Sequence, residues 1–348
     1  MNQNIAMRIG EAVDRLITVD MSSRGVIEPL YEAAREKLGE GPLTLLAAHR
    51  LRRVARPEKP VIIATGLPIR GWFSPALAES DGPIGAATLA RALFLAFHSL
   101  PVLVCEEEQV PLLTACARAA GLVPSTFDQI RAAQKSPDAL PGRRIPAAII
   151  RGFPADDRSA ELEARALLKI RPSALISIER LGANARGVYH YARGERVNRE
   201  AMAKVDRLFS KAHAAGILTI CIGDGGNELG MGLIKEVIRK QVPYGRKCHC
   251  PCKAGLAPEF VPDLLVCATV SNWGAAGLEA CLAALAGNAD ILHSPELEMD
   301  VIRACMDAGA LDGLTGLADF SVDTLPARIS AHVIEILQTI VGHALNPA

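Results

Sequence analysis

Short runs of apolar, mostly β-branched residues recur along the chain and alternate with helix-length, alanine-rich segments. The runs are apolar throughout, without the polar-apolar alternation of a strand that has one face in water. Continuous apolar runs of this length are typical of strands covered on both faces. The alternation therefore predicts an α/β fold with three α/β/α layers and a mostly parallel, doubly wound sheet. The six runs lie at 61–65, 102–105, 147–150, 174–178, 218–222 and 264–270.

The segments between these runs predict the helices. One helix can be placed from its ends, because Asn198 can cap a helix that begins near Arg199 and Gly216 suits the left-handed residue that ends it. Between them an apolar stripe recurs at helical spacing, formed by Met202, Val205, Leu208 and Phe209. The first fifty residues also read as helical. Further helices are predicted at 84–98, 108–120, 159–170, 274–286, 295–308 and 325–345.

The chain shows no fixed-period repeat and no low-complexity linker. Its 348 residues can bury a large core, and a single α/β domain over 1–348 is the expected organisation. The stretch 134–146 (QKSPDALPGRRIP) is the best candidate for a mobile loop or an internal boundary.

Charge and composition exclude several classes of protein. Lys and Arg together number 38, as do Asp and Glu, so nucleic acid and anionic membranes are not expected partners. Half the residues are hydrophobic and 4% are aromatic, which indicates a globular protein without stacking platforms for single strands. No apolar run reaches about 18 residues, and charges interrupt the apolar N-terminal stretch, so neither a membrane span nor a signal peptide is predicted.

The nine cysteines are odd in number, and several lie within apolar runs. Cysteine in that setting behaves as a small hydrophobic residue. Reduced, buried thiols in a cytoplasmic protein are therefore expected. The sequence is compatible with a homo-oligomer.

Polar and flexible residues follow four of the predicted strands. The carboxyl ends of parallel strands lie at one edge of a sheet, and ligands bind outside that edge. The four segments therefore predict one common site. They are ESDGPIGA at 79–86, ERLGANARGVYH at 179–190, GDGGNELGMG at 223–232 and SNWG at 271–274.

The segment 223–232 is the richest of the four, with five glycines that expose backbone N–H groups to a ligand. Asp224 and Glu228 add carboxylates, and Asn227 adds an amide. A G-x-G-x-x-G dinucleotide motif would need glycine at position 228, and no P-loop lysine follows. The alternative interpretation is a tight turn between strand and helix with a capping aspartate.

Other strand-end residues have more than one interpretation each. Glu179 is a candidate general base and Arg180 a candidate carboxylate-binding fork, although the two could form a surface ion pair. His190 could be an acid, a ligand or a loop histidine. Asp81 could cap the helix that starts near residue 84 or point into the cleft.

The segment Cys248-His249-Cys250-Pro251-Cys252 is unusual. Cys248, Cys250 and Cys252 would lie on one side of an extended chain and His249 on the other. Three thiolates could hold zinc, but the usual C-x-x-C spacing and a second pair are absent. Redox-inert loop cysteines are the favoured interpretation. H-E-x-x-H and G-x-S-x-G motifs are also absent.

Together these motifs resemble the D-glutamate cyclase-like C-terminal domain family. The matching stretches run in order along nearly the whole chain, and the small departures are Ser80 and Leu181, where threonine and proline are expected. Some relatives are fused to a hydro-lyase-like domain. The stretches are SRG (23–25), ESDGPIGA (79–86), SIERLGANARGVYHYARG (177–194), IGDGGNELGMG (222–232), CHCPCKAG (248–255), VSNWGAAGL (270–278) and DGLTG (312–316).

The resemblance implies a carbon-oxygen lyase that converts D-glutamate, an amino-diacid, to 5-oxo-D-proline and water. Such a reaction needs a base, an acid and an oxyanion-stabilising group. The implied catalytic residues are Glu179, the base, with Arg180, Asp224, Asn227 and His190. The implied substrate-binding residues are Arg24, Asp81, Gly82, Gly225, Gly226, Asn272, Asp312 and Thr315.

Within this set, Arg180 or Arg24 would hold a substrate carboxylate, and the N–H groups of Gly225 and Gly226 would face an oxyanion. Asp224 or Asp81 would bind the ammonium group or a divalent metal, Mg²⁺ or Mn²⁺. Further metal candidates are Glu228, beside Asp224, and the three clustered cysteines. Two other functions stay open: a metal-dependent lyase or hydratase acting on another small carboxylic acid, and a protein that binds an amino acid or nucleotide without reaction.

Overall fold

The computed structural model describes residues 2–136 and 144–346. These residues form twelve α-helices and eleven β-strands. The helices are α1 (Gln3–Ile17), α2 (Ile27–Leu38), α3 (Leu43–Val54), α4 (Pro83–Phe97), α5 (Val110–Ala119), α6 (Phe127–Lys135), α7 (Asp157–Lys169), α8 (Val205–Ala214), α9 (Lys235–Gln241), α10 (Ser271–Ala286), α11 (Pro295–Asp307) and α12 (Ala327–Leu345). The strands are β1 (Pro60–Ala64), β2 (Ala78–Glu79), β3 (Leu100–Glu106), β4 (Val123–Pro124), β5 (Ala147–Phe153), β6 (Ala174–Ile178), β7 (Leu218–Gly223), β8 (Leu264–Cys267), β9 (Ala310–Leu311), β10 (Ser321–Val322) and β11 (Leu325–Pro326).

Seven strands form one sheet in the order β4-β5-β3-β1-β6-β7-β8. Every described pair in this sheet is parallel. After β1 the chain builds one side of the sheet with β3, β4 and β5, then crosses to add β6, β7 and β8 on the other side. Helices flank the sheet, which confirms the predicted three-layer, doubly wound α/β/α fold. The direction of winding reverses beside β1, and this is where open parallel sheets bind ligands.

All six predicted strands belong to this sheet, but the last is shorter than predicted. Strand β8 ends at Cys267, whereas the apolar run continues to Val270. The N–H of Thr269 donates to the carbonyl of Ile17 in α1 at 2.8 Å, so the chain has already left the sheet there. Ala268 still donates its N–H to the carbonyl of Gly223 at the end of β7, and from Thr269 onward the chain pairs with α1 instead.

The helix predicted to begin near Arg199 begins at Val205 instead. Asn198 caps only a short 3₁₀ turn at 199–201. Tertiary hydrogen bonds hold the next residues out of the helix: the N–H of Ala203 donates to Glu106 at 3.1 Å, and that of Lys204 to a distant carbonyl. Local capping chemistry is overridden by these long-range partners. The predicted end at Gly216 is confirmed by its left-handed φ of 72°.

Helix α10 packs against α1, α3, α4 and α12. Every residue from Ser271 to Ala284 is buried. Small residues permit these close crossings, since a Cβ placed on Gly85 of α4 would lie 3.0 Å from the Cβ of Ala275. Close helix crossings of this kind explain why small residues are frequent in the helices around α10. Because α10 begins shortly after β8, it delivers Ser271 to the carboxyl edge of the sheet.

Two predictions about chain organisation stay predictions. The stretch 134–146 falls largely on residues 137–143, which lie outside the described ranges. A single domain over 1–348 is likewise untested. Among the described helices, none is long and apolar enough to cross a membrane.

His293 forms a buried charged bridge between two helices. Its Nδ1 lies 2.6 Å from Oε2 of Glu279 in α10, and its Nε2 lies 3.1 Å from Oε2 of Glu298 in α11. Burial by itself would lower the pKa of His293, but the two carboxylates raise it to about 10. The ring therefore stays protonated at neutral pH and links the Glu279 side chain of α10 to the Glu298 side chain of α11.

This bridge predicts how stability depends on pH. The pKa of His293 rises from 6.5 to about 10 on folding, so the folded protein binds one more proton than the unfolded chain between those limits. We expect the full stabilisation below pH 6.5 and a fall in the free energy of unfolding as the pH rises toward 10. Urea unfolding at a series of pH values between 6.5 and 10 measures this free energy.

His293→Gln should flatten the dependence on pH, whereas His332→Gln, at an exposed position of α12, should leave it unchanged. Equal pH dependence in the wild type and His293→Gln would show that the bridge carries no such charge.

Candidate active site

A cavity of about 440 Å³ opens at the carboxyl edge of the sheet. Segments that follow β1, β6 and β7 line it, together with the short β-pairs near residues 79 and 323. The charged side chains in its wall carry both signs. Its carboxylates are Glu79, Glu179, Glu195, Asp224 and Asp323, and its guanidinium groups are Arg24, Arg70 and Arg193.

Glu179 directly follows β6 and lines this cavity. Its backbone has a left-handed φ of 44°, a strained conformation for a side chain of this kind. Oε2 of Glu179 accepts a hydrogen bond from Oγ of Ser271 at 2.6 Å. Burial, together with the nearby carboxylates of Asp224 and Glu228, raises the pKa of Glu179 well above its ordinary value. The same surroundings favour the protonated form of Glu179 over the carboxylate.

Asp81 and Asn272 join the first turns of α4 and α10 beneath Glu179. The Asp81 carboxylate accepts the N–H groups of Gly82, Ser271 and Asn272 at 2.7–2.9 Å. Oδ1 of Asn272 accepts from Gly82 and from a second N–H of α4, each at 2.8 Å. Neither side chain lines the cavity. Their contacts position Ser271, and the substrate-binding roles expected of Asp81 and Asn272 stay predictions.

Position 82 requires glycine, both for its backbone conformation and because neighbouring atoms leave no space for a side chain. Its φ is 101°, and an added Cβ would lie 2.6 Å from Oγ1 of Thr65 and 2.9 Å from Cβ of Glu179. A side chain here would displace the candidate base. Gly82 thus shapes the site through its size, and its N–H is taken by Asp81 and Asn272.

In the glycine-rich loop after β7, backbone N–H groups donate hydrogen bonds to the carboxylate of Glu228 in the same loop. Glu228 accepts the N–H groups of Asp224, Gly225 and Gly226 at 3.2, 2.6 and 2.8 Å. These N–H groups therefore do not form the predicted oxyanion site, because Glu228 occupies them. Burial and the Asp224 carboxylate raise the pKa of Glu228 to about 8. Gly225 and Asn227 still line the cavity.

Asp224 lies at the centre of a group of buried carboxylates. Nη2 of Arg24 donates to Oδ2 of Asp224 at 3.1 Å. Carboxylate oxygens of Asp81, Asp224 and Asp323 lie within 4.8 Å of one another. Burial and mutual repulsion raise the pKa of Asp81 to about 8, of Asp323 to about 7 and of Asp224 to about 6. At neutral pH this group shares protons, and it offers oxygen ligands to a cation.

Three residues of this site were missed or undervalued by sequence reasoning. Glu79 forms β2, which pairs with β9 beside the cavity rather than with the main sheet. Asp323 lies in the tight turn between β10 and β11 and has a φ of 49°. Glu79 begins one of the four selected segments but was given no role there, and Asp323 follows no long apolar run, so the pattern of strand ends could not reveal it. Ser271 lies in one of the four selected segments, but only its contact with Glu179 shows its importance.

Asp312 holds a loop that forms part of the cavity wall. Its carboxylate accepts the N–H groups of Leu314, Thr315 and Thr324 at 2.7–3.0 Å. The carbonyl of Thr315 accepts from Arg70 at 3.4 Å. Neither predicted substrate-binding residue, Asp312 or Thr315, lines the cavity with its own side chain. Both shape the wall from behind.

Arg180 is fully buried and does not line the cavity. Its Nη1 donates to Oε2 of Glu106 and to the carbonyl of Gly66, each at 2.6 Å, and its Nη2 donates to the carbonyl of Ala203 at 2.7 Å. The predicted grip on a substrate carboxylate does not fit these contacts. Arg180 instead ties the end of β6 to β3 and to the segment that precedes α8.

His190 lies among the three clustered cysteines and not in the cavity wall. Its Nε2 is 3.3 Å from Sγ of Cys250 and 3.6 Å from Sγ of Cys252. Sγ of Cys248 is 3.5 Å from Cys250 and 3.3 Å from Cys252. Of the three interpretations of His190, the ligand fits this arrangement, and the predicted catalytic role does not. The cysteines form one cluster rather than separate loop residues.

Asn227 connects this cluster to the cavity. Its side chain lines the cavity, and its Nδ2 donates to the carbonyl oxygen of His190 at 2.9 Å. This hydrogen bond couples the position of the His190 backbone to that of the Asn227 side chain in the cavity wall.

Comparison with known proteins identifies the family of this chain. A family model described as D-glutamate cyclase-like, C-terminal, matches residues 13–338. A human protein named D-glutamate cyclase, mitochondrial, is 38% identical over 109 residues. That match covers 31% of this chain and 16% of the human protein. The match to the family model spans nearly the whole chain, and the chain belongs to the D-glutamate cyclase-like, C-terminal family.

Proposed function

We propose that this chain closes the ring of D-glutamate to give 5-oxo-D-proline and water. The observation that carries the proposal is the buried Glu179, held by Ser271, in a cavity whose wall also holds arginines and further carboxylates. Family membership and the name of the human relative support the choice of substrate.

The charges of the cavity match those of the substrate. Glutamate carries two carboxylates and one ammonium group. Arg70 and Arg193 line the cavity and would bind carboxylates, as would Arg24, whose partner Asp224 would take the ammonium group. Holding both ends at once curls the substrate and removes much of the entropic barrier to ring closure.

Glu179 would move the protons. Ring closure bonds the substrate nitrogen to the distal carboxyl carbon and breaks one carbon-oxygen bond. The nitrogen loses two protons in all, and the departing oxygen gains both and leaves as water. A carboxylate whose pKa is raised above its ordinary value is a stronger base than a free one, so it can accept a proton from the ammonium group and pass it to the departing oxygen. Ser271 holds one oxygen of Glu179 and so fixes its direction.

A divalent cation fits the same site. Asp81, Asp224 and Asp323 would hold it, since carboxylate oxygens within 4.8 Å of one another are the donors that Mg²⁺ and Mn²⁺ prefer. Bound there, a cation supplies Lewis-acid polarisation of a carboxyl group. The same three carboxylates favour the second candidate function, a metal-dependent lyase or hydratase acting on another small carboxylic acid.

Substitution of Glu179 tests its role as the base. Glu179→Gln keeps the size of the side chain but removes the proton acceptor, so turnover of D-glutamate should fall about 100-fold or more. Chromatographic measurement of 5-oxoproline tests it. Glu36→Gln, on the exposed face of α2, is the matched control and should retain full turnover.

Full turnover by Glu179→Gln would remove Glu179 from the mechanism. If D-glutamate raises the melting temperature of the wild-type protein but yields no 5-oxoproline, the chain binds amino acids without reaction. Turnover of a different carboxylic acid alone would favour the second candidate function.

The role of the cation can be tested by its removal. Activity lost on treatment with a chelator should return with Mg²⁺ or Mn²⁺. Asp323→Asn removes one ligand charge and should raise the metal concentration needed for half recovery about tenfold or more. Asp300→Asn, at an exposed position of α11, should leave that concentration unchanged. Full activity in the presence of chelator would contradict a role for the cation.

A further inference from the structure

The four side chains of His190, Cys248, Cys250 and Cys252 converge from two segments that lie far apart in the chain. We infer that these residues bind one Zn²⁺ ion in a closed structural site, here called the Cys₃His cluster. The ligand atoms are the three Sγ atoms and Nε2 of His190. The inference rests on their geometry and does not depend on the proposed reaction.

The distances within the Cys₃His cluster are close to those of a zinc tetrahedron. With Zn–S bonds of about 2.3 Å and a Zn–N bond of about 2.0 Å, tetrahedral ligands lie about 3.8 Å apart for two sulfurs and about 3.5 Å apart for sulfur and nitrogen. Two of the three sulfur-sulfur distances here are 3.3 and 3.5 Å, two of the three sulfur-nitrogen distances are 3.3 and 3.6 Å, and all four ligand atoms lie within 4.8 Å of one another. A small outward movement of each side chain would admit the ion.

A disulfide or a site for a harder metal fits the Cys₃His cluster less well. A disulfide needs sulfurs about 2.05 Å apart, and all three cysteines are free. Three soft sulfur donors with one imidazole select zinc over Mg²⁺, Mn²⁺ or Ca²⁺, which prefer oxygen. The four ligands complete a tetrahedron and leave no position for water, so the site is structural rather than catalytic.

The backbone accounts for a cysteine spacing that does not resemble a common zinc motif. The chain turns after Cys250, where the N–H of Lys253 donates to the Cys250 carbonyl at 3.3 Å and Lys253 has a φ of 52°. This turn brings Cys252 back toward Cys248. In the extended chain assumed from the sequence, Cys248 and Cys252 would lie roughly 13 Å apart, too far to share one ion. His249 points elsewhere and packs against the ring of Tyr244, with ring centroids 4.5 Å apart.

Asn184 supports the cluster from outside. Its Nδ2 donates to the carbonyl of Gly255 at 2.6 Å and lies 3.5 Å from Sγ of Cys252. Its Oδ1 accepts the N–H groups of Arg186 and Val188, on the segment that carries His190. One amide thus orients both ligand-bearing segments, as outer-shell groups do at metal sites.

The position of the Cys₃His cluster beside the cavity wall indicates what the ion would do. Tyr191 and Arg193, which follow His190, line the cavity, and the carbonyl of His190 is held by Asn227. The N–H of His249 donates to the carbonyl of Gly194 at 3.0 Å, so the two segments also meet beyond the cluster. Zinc would fix this wall of the cavity in place.

Metal analysis of the wild-type protein tests the inference. The protein, reconstituted with Zn²⁺ under reducing conditions and desalted, should hold about one zinc per chain. Mercurial titration of the thiols should release that zinc. Alkylation followed by peptide mapping should show Cys248, Cys250 and Cys252 protected while zinc is bound and reactive after its removal. These readouts use the wild-type chain and need no variant to fold.

Cysteine variants supply the second part of the test. Cys250→Ser combined with Cys252→Ser should lower the zinc content at least tenfold, whereas Cys305→Ala, at a buried cysteine outside the cluster, should keep it. Zinc in the wild type no higher than in the double variant would overturn the inference. So would equal alkylation of the three cysteines with and without zinc, or iron in place of zinc. None of these measurements involves D-glutamate, so the proposed function and the zinc site can fail separately.

Discussion

The Asp81 carboxylate is the contact on which the arrangement of the candidate site depends. It accepts three backbone N–H groups and so joins the first turns of α4 and α10 at one buried point. Because Ser271 is one of its donors, the hydroxyl of Ser271 is brought to Glu179. Gly82, another donor, leaves space for Glu179 only because it has no side chain. Loss of this carboxylate would release both helix ends and the candidate base together.

The concentration of buried carboxylates around this point carries an electrostatic cost. Burial and mutual repulsion raise the pKa values of Asp81, Asp224, Glu228 and Asp323 to between about 6 and about 8. Backbone N–H groups and Arg24 offset part of that cost. What remains is a set of groups that exchange protons near neutral pH or attract a cation. Such perturbed groups in a cleft are a frequent property of active sites.

Much of the fold could be predicted because the relevant signal is local. A strand buried on both faces needs an unbroken apolar run, and all six runs form strands of the main sheet. Glu179 and Asp224 could be found in the same way, since topology alone places those strand-end positions at the cavity. Topology does not give the direction of a side chain or its distant partner. Arg180 turns inward to Glu106 at the end of β3, which is separated from β6 by β1, and His190 meets cysteines about sixty residues further along the chain.

The central claim is that this cavity joins the nitrogen of D-glutamate to its distal carboxyl carbon. D-glutamate labelled with ¹⁸O at both oxygens of the distal carboxylate tests this directly by mass spectrometry. Our account predicts 5-oxo-D-proline that retains one ¹⁸O atom, with the other released in water. Recovery of D-glutamate alone, or of a product that retains both labelled oxygens, would contradict it.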